Sequence, residues 1–185
     1  MFVGIGEKTD NDFSNPMGML TDCHRKLERI LQGFLTVTAE ARGNALTPEQ
    51  RTVIEMGLRY FEKFAPQHAR DEEESLFPRM RSTKHPDVQA ILTVLDALDA
   101  DHVEAAAVHA EMDTLGRKWL AEGSLSPDEA GRLEKIVREL NSFYQRHIGI
   151  EDRDVFPLAG RVLTATEMEA VGKEMAARRG IEYPG

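Results

Sequence analysis

The sequence has little cysteine, few aromatic residues, no long apolar run and fewer basic than acidic residues. Its single cysteine, Cys23, cannot form an internal disulfide, which excludes a small fold held together by disulfides. No segment approaches the roughly 18 consecutive apolar residues that a membrane-spanning helix needs. The 23 Lys and Arg residues against 32 Asp and Glu residues give a formal net charge of −9. This balance argues against a nucleic-acid partner, because phosphate binding needs clustered cations.

The residues that are present indicate a soluble globular protein. The chain has 185 residues, of which 41% are hydrophobic and 30% charged, enough for one core of reasonable size. The first residues, MFVGIGEKTDNDFSNP, lack the basic start and the apolar stretch of a signal peptide. We therefore expect a cytoplasmic protein that has neither a nucleic-acid partner nor a membrane partner.

Helical spacing dominates the chain, since apolar residues recur three and four positions apart from residue 17 onward, with Phe61 and Phe64 on the stripe of the second helix. Three helix starts carry a Thr or Ser followed three residues later by Gln or Glu, the pattern of a capping box: Thr47 with Gln50, Ser126 with Glu129, and Thr164 with Glu167. These signals predict long helices over about 17–42, 48–82 and 86–123 and a fourth from about 127. A shorter fifth helix begins at Thr164, and Gly180 is well placed to end it.

The connections between the long helices are only a few residues long, so neighbouring helices must run antiparallel. The sequence therefore predicts an all-α, up-down-up-down four-helix bundle over residues 17–160. Residues 1–16 are predicted to form an irregular N-terminal segment, and residues 161–185 a C-terminal helix and tail.

Each apolar stripe, continued at its own spacing, reaches one histidine, so the four long helices point four imidazoles inward: His24, His68, His102 and His147. Two helices also place a carboxylate one turn later on the same face, as His68-x-x-x-Glu72 and His147-x-x-x-Glu151. Counted from the helix ends, the four histidines fall at one level to within about 3 Å along the axis. The sequence thus predicts one polar layer inside an apolar core.

The two halves of the chain repeat this layer. One pattern recurs 79 residues further along, with Phe64, His68, Glu72, Phe77 and Pro78 matched by Phe143, His147, Glu151, Phe156 and Pro157. His24 and His102 are 78 residues apart. Two helix pairs therefore look like copies of one unit.

A polar layer of this kind needs a cation. A single histidine on an apolar stripe is more often a core residue with a hydrogen bond, but burying four imidazoles with two carboxylates costs far more, and neighbouring carboxylates repel each other. A pair of divalent metal ions removes both problems. Imidazole and carboxylate donors suit iron or manganese and tolerate zinc, so the spacing alone leaves the metal open.

Four segments of the chain resemble the hemerythrin-like family of HHE cation-binding domains: MGMLTDCHRKLERIL, FAPQHARDEEESLFPRM, LDADHVE and FYQRHIGIEDRDVFPLA. The resemblance covers roughly residues 17–160 and implies a non-haem di-iron centre with an oxo or hydroxo bridge. It implies the following ligands: His24 and His68 on one iron, His102 and His147 on the other, and Glu72 and Glu151 bridging both. It also implies a small ligand such as O2, peroxide or NO, and it names no protein partner.

The sequence departs from that of the oxygen-carrying hemerythrins at one position. Those carriers have a fifth histidine one turn after the ligand of the third helix, where this chain has Ala106. From this resemblance we expect a more open centre that senses or reacts with an oxidant rather than storing oxygen. Glu28, one turn after His24, could bind the first metal or pair with an arginine, and His109 is expected to be a core or channel-lining residue.

Two other functions stay open at this point. One is a metal-free or zinc-stabilised interaction bundle, in which the buried polar layer specifies the register of the helices. The other is an iron-handling protein without gas chemistry. The related iron-centre repair proteins carry an added cysteine-containing N-terminal domain, and a chain whose one cysteine is Cys23 does not fit that pattern.

Overall fold

The computed structural model describes residues 11–184, and all regular secondary structure in this range is helical. Residues 1–10, which belong to the predicted N-terminal segment, and Gly185 lie outside the described residues. The elements in chain order are α1 (Pro16–Ala41), α2 (Pro48–Lys63), α3 (Ala65–Asp71), a first π-turn (Glu72–Leu76), α4 (Phe77–Ser82), α5 (Pro86–Gln89), α6 (Leu92–Glu122), α7 (Pro127–Ile150), a second π-turn (Glu151–Val155), α8 (Phe156–Val162) and α9 (Ala165–Arg178).

The predicted helix starts are confirmed. At α2, the Gln50 backbone N–H donates to Thr47 Oγ1 at 3.2 Å and the Thr47 N–H donates to Gln50 Oε1 at 3.1 Å, which completes a capping box. The same reciprocal pairs form at the two other predicted starts, between Ser126 and Glu129 and between Thr164 and Glu167. Gly180 has a φ of +64°, a conformation that suits glycine at a helix end.

The prediction of one uninterrupted helix over 48–82 is wrong. The helix ends at Lys63 and restarts at Ala65, because Pro66 has no N–H to donate to the carbonyl four residues back. The third predicted helix also begins as a separate short helix at Pro86 before α6 starts at Leu92.

This break changes the exposure of a predicted core residue. Phe64 was expected on the apolar stripe of the second helix, but its side chain is 42% exposed. Its ring stacks on Tyr60 at 5.9 Å between centroids, and the Lys26 ammonium lies over it at 5.5 Å. The corresponding residue of the second half, Phe143, is half-buried, and the neighbouring Tyr144 is buried instead.

The described residues form two compact units, the first from residues 11–25, 66–101 and 147–184 and the second from residues 26–65 and 102–146. The first unit is built around buried apolar side chains of α1, the two π-turns with the helices that follow them, α6 and α9, among them Leu20, Leu76, Phe77, Leu95, Val155 and Met175. The second unit buries an apolar set that includes Phe34, Ile54, Leu58, Met112, Trp119 and Ile136.

Two contacts show how closely the second unit is packed. The Trp119 indole N–H donates to the Asn44 carbonyl at 2.9 Å, which satisfies the polar atom of a buried ring. Gly57 of α2 lies directly against the Phe34 ring, and a Cβ atom at this position would lie inside the ring edge. Gly57 is therefore required by packing and not by backbone conformation.

His109 lies among the aromatic residues of the second unit, as the sequence predicts for a core histidine. Its ring centroid is 4.6 Å from that of Phe61 and 5.8 Å from that of Tyr144, whose hydroxyl is 3.0 Å from His109 Nε2. Burial lowers the pKa of His109 to about 4. The imidazole is therefore neutral at pH 7.

We predict that Gly57→Ala destabilises the protein by about 1–3 kcal/mol, because the added methyl group overpacks the Phe34 contact. Gly131→Ala is the matched control, since its Cβ meets no atom within 4 Å in the interior of α7. The control should gain about 0.5–1 kcal/mol through helix propensity. Urea unfolding of both variants measures the difference, and equal stabilities would contradict the close contact.

We also predict that His109 makes the protein less stable in acid. The unfolded histidine titrates near its ordinary pKa of 6.5 and the folded one at about 4, so the unfolded state binds more protons in this window. Stability is therefore fully present above pH 6.5 and falls as the pH drops toward 4. The loss amounts to roughly 3 kcal/mol at 1.36 kcal/mol per unit. In His109→Phe, the pH dependence of the urea midpoint should be shallower, and parallel curves would rule this out.

Candidate metal centre

Five of the six predicted metal ligands lie in the first unit and are buried there: His24, His68, Glu72, His147 and Glu151. They come from α1, α3, α7 and the first residue of each π-turn. One ligand atom from each of four of them, all except His147, lies within 4.8 Å of the other three. The helical spacing seen in the sequence therefore brings these donors together in the fold.

The donor atoms face one another at short distances. His24 Nε2 is 3.0 Å from His68 Nε2 and 3.2 Å from Glu151 Oε2. His68 Nε2 is 3.3 Å from Glu72 Oε1, and His147 Nε2 is 3.3 Å from Glu151 Oε1. Two imidazole nitrogens bound at right angles to one cation, each about 2.1 Å from it, would be about 3 Å apart. The spacing of the two histidines thus fits a shared metal ion.

The second ring nitrogen of two histidines is held by an aspartate. His24 Nδ1 lies 2.8 Å from Asp152 Oδ1, and Asp152 also pairs with the Arg25 guanidinium. His147 Nδ1 lies 3.1 Å from Asp101 Oδ2. A neutral imidazole that donates from Nδ1 has only a lone pair on Nε2. In each of these two rings that lone pair points toward the buried glutamates. While the rings are neutral, their lone pairs face carboxylate oxygens, so positive charge in the form of protons or a metal ion must lie between them.

Sequence reasoning missed both of these aspartates. Asp152 directly follows the predicted ligand Glu151, and Asp101 directly precedes His102. Their position beside predicted ligands was the available signal, but a neighbour in sequence points to a different side of a helix, so the spacing argument passed over them.

The protonation of the buried groups reflects the same need for positive charge. Burial raises the pKa of Glu72 well above its usual range, and the charge of Glu151 raises it further. Burial also acts to raise the pKa of Glu151, but hydrogen bonds with His147 and His24 outweigh it and hold this pKa below its usual range. Burial lowers the pKa of His24, whereas its bonds with Asp152 and Glu151 raise it to about 9. Protons therefore balance the carboxylates, and a metal ion that binds here must displace them.

Each π-turn begins at one of the two glutamates and has a proline as its cause. Pro78 lacks an N–H, and in a regular α-helix its ring would clash with the carbonyl of Glu74. The Phe77 N–H instead bonds to the Glu72 carbonyl, five residues back. The second π-turn repeats this arrangement with Phe156, Glu151 and Pro157. Such turns are frequent at functional sites, and the repeated Glu-x4-Phe-Pro pattern could have predicted them.

The remaining candidates lie in the second unit. His102 is half-buried in α6 and begins the second segment of that unit, residues 102–146, so its role as a ligand stays a prediction. Glu28 is half-buried and lines a cavity of about 270 Å³ together with Gln32, Asn141 and Tyr144.

Ala106, which the resemblance matches to the fifth histidine of the oxygen carriers, lies beside the buried stripe of α6. Its side chain is exposed, and the buried stripe of α6 passes through the neighbouring Ala105. The match of Ala106 to a ligand of the oxygen carriers therefore stays a prediction, and the openness of the centre does not follow from it.

None of the helices within residues 11–184 combines the length and the apolar character required to cross a lipid bilayer.

Comparison with known proteins supports the metal-binding interpretation. The family described as Hemerythrin HHE cation binding domain matches residues 15–159. An uncharacterized protein of Haemophilus influenzae is 26% identical over 170 residues, which make up 92% of this chain and 93% of that protein. The family match covers most of the chain and includes every predicted ligand. The chain therefore belongs to the hemerythrin family of HHE cation-binding domains.

Proposed function

We propose that this protein binds two iron ions in its helical core and uses them to bind or sense a small oxidant such as O2, peroxide or NO. The observation that carries the proposal is the convergence of three imidazole Nε2 atoms on two glutamates that are 0% exposed. In this proposal His24 and His68 bind one iron, His102 and His147 the other, and Glu72 and Glu151 bridge them.

The choice of iron follows from the donors and the family. Nitrogen and carboxylate ligands without a thiolate suit iron or manganese better than copper or a structural zinc site. The two carboxylates also offset half of the four positive charges that a pair of divalent ions carries. Bound iron supplies an open coordination position and one-electron redox chemistry for a small ligand. Manganese and zinc are the alternatives that metal analysis distinguishes.

The chain's own residues prepare this site in three ways. Asp152 and Asp101 accept from the Nδ1 atoms of His24 and His147, so that the Nε2 atoms point at the carboxylates. The Phe156 ring stacks on His24 at 5.2 Å between centroids and covers its face. The five donors in the first unit are themselves buried in a unit with an apolar core, which limits their access to water. A small uncharged ligand enters such surroundings more easily than an ion does.

Three parts of the proposal rest on the sequence. His102 is assigned because it lies 78 residues after His24 in the repeat and directly follows Asp101. The antiparallel four-helix arrangement is assigned because short connections join the long helical segments. The cytoplasm is the proposed location, on the basis of the single cysteine.

We expect the purified protein to contain about two iron ions per chain, and Glu151→Gln to lose most of them. Glutamine keeps the volume of the side chain but removes the charge that two cations share. Asp154→Asn is the matched control, because Asp154 is an exposed carboxylate in the same π-turn. Elemental analysis after anaerobic purification measures both variants. Equal iron in the two variants would contradict the bridging role, and zinc or no metal in the natural protein would favour the interaction bundle.

The oxidant function is tested with protein that is loaded anaerobically with Fe²⁺ and mixed with O2 or NO in a stopped-flow spectrophotometer. We expect a saturable absorbance change, with the iron retained through gel filtration afterwards. The same treatment of Glu151→Gln should give no such change, because little iron is bound. Iron that leaves the protein without any change in absorbance would instead indicate an iron-handling function.

A further inference from the structure

A second buried charged cluster lies beside the first π-turn and supplies no atom to the grouped metal donors. Its centre is Asp71, which is 0% exposed and directly precedes Glu72. Two arginines at the end of α9 bind it. Arg178 Nη1 donates to Asp71 Oδ1 at 2.9 Å, while Arg179 donates from Nη2 to Oδ2 at 2.6 Å and from Nη1 to Oδ1 at 3.2 Å. Arg179 thus grips both oxygens, as a planar guanidinium does.

The contacts of α9 continue along the first π-turn. Arg178 also donates to Ser75 Oγ at 2.6 Å and to Glu74 Oε2 at 3.2 Å. Arg79, just after the turn, donates to the Ser75 carbonyl at 2.8 Å and pairs with Glu174 of α9 at 2.6 Å. Side chains of α9 therefore hold the residue before Glu72 and the residues near the end of its turn.

The second π-turn lacks the matching residues. Position 150, which corresponds to Asp71 at the 79-residue offset, holds the half-buried Ile150, and position 154 holds the exposed Asp154 in place of Ser75. The helix that supplies the arginines, α9, begins at Ala165, beyond the residues 15–159 that match the family. We call the contacts of Arg178 and Arg179 with Asp71 the clamp. The clamp is therefore present only beside Glu72, and its arginines come from a segment outside the family domain.

We propose that Arg178 and Arg179 are positioning residues that fix Glu72 for metal binding through their grip on Asp71. The inference rests on the proposed metal-binding function. Arg179 contacts both oxygens of Asp71 and Arg178 contacts one of them, and these contacts hold the backbone from which the Glu72 side chain projects. Without the clamp, Glu72 samples more positions and holds the cation less tightly. Removing a residue that orients a ligand typically weakens metal binding by about 10–100-fold.

The test compares the full-length protein with Arg178→Ala/Arg179→Ala and with Met175→Ala. Met175 is a fully buried α9 residue, so its truncation weakens the packing of α9 but leaves both arginines in place. Fe²⁺ affinity is measured anaerobically by competition with a chromogenic chelator, and the visible absorption of Co²⁺-loaded protein reports the ligand geometry. We expect about 10–100-fold weaker Fe²⁺ binding and an altered Co²⁺ spectrum in the arginine variant alone.

The outcomes separate the clamp from other causes. An equal loss in Met175→Ala would mean that α9 acts only through general stability, and unchanged affinity in the arginine variant would overturn the proposal. If circular dichroism shows that the double variant does not fold, Arg179→Lys replaces it, since lysine keeps the charge but cannot bind both oxygens of Asp71. Natural affinity in a folded Arg179→Lys would then overturn the clamp. Failure of the natural protein to bind Fe²⁺ would instead refute the proposed function.

Discussion

The burial of two carboxylates is the constraint on which the rest of the first unit depends. Glu72 and Glu151 have lost their hydration entirely, which costs on the order of several kcal/mol each unless positive charge or hydrogen bonds replace it. Imidazole Nε2 atoms face these carboxylates at 3.2 and 3.3 Å, and aspartates at the edge of the unit hold two of the rings from behind. The imidazoles thus balance the charge of the buried glutamates, and the partly exposed aspartates balance the charge of two of the imidazoles. The apolar side chains around the glutamates can pack closely only while that balance holds.

The same constraint gives the prolines after each π-turn a structural purpose. An α-helix that carries His68 and Glu72 on one face would continue regularly, but Pro78 prevents the next backbone bond and widens the turn at the glutamate. The glutamate carbonyl then accepts from Phe77, and Leu76 and Phe77 both become buried. The irregular backbone and the ionisable side chain therefore occur at the same residue. A change in the backbone of the π-turn directly moves the glutamate carboxylate.

Helical spacing predicted the parts of the site that a single helix determines. His68 and Glu72 share a face because positions four apart always do, and the same is true of His147 and Glu151. The partners that orient these rings could not be found in this way. His24 and Asp152 are 128 residues apart, and His147 and Asp101 are 46 apart, so their contact depends on packing between segments. The exposure of Phe64 was mispredicted for a local reason. Pro66 interrupts the helical hydrogen bonds, so α2 already ends at Lys63, one residue before Phe64.

The two π-turns share one repeated sequence pattern, yet different interactions hold them. Ile150 precedes Glu151 and packs against the apolar core of the first unit, an interaction that stabilises without fixing a direction. Asp71 precedes Glu72 and is bound by two guanidiniums at defined angles. Buried ion pairs of this kind add little net stability over apolar packing, because desolvation offsets their attraction. The ion pairs of Asp71 with Arg178 and Arg179 instead fix the position of the Asp71 carboxylate. Residues outside the family domain therefore fix the position of one glutamate, Glu72. The carboxylate of Glu72 is in consequence held more firmly than that of Glu151.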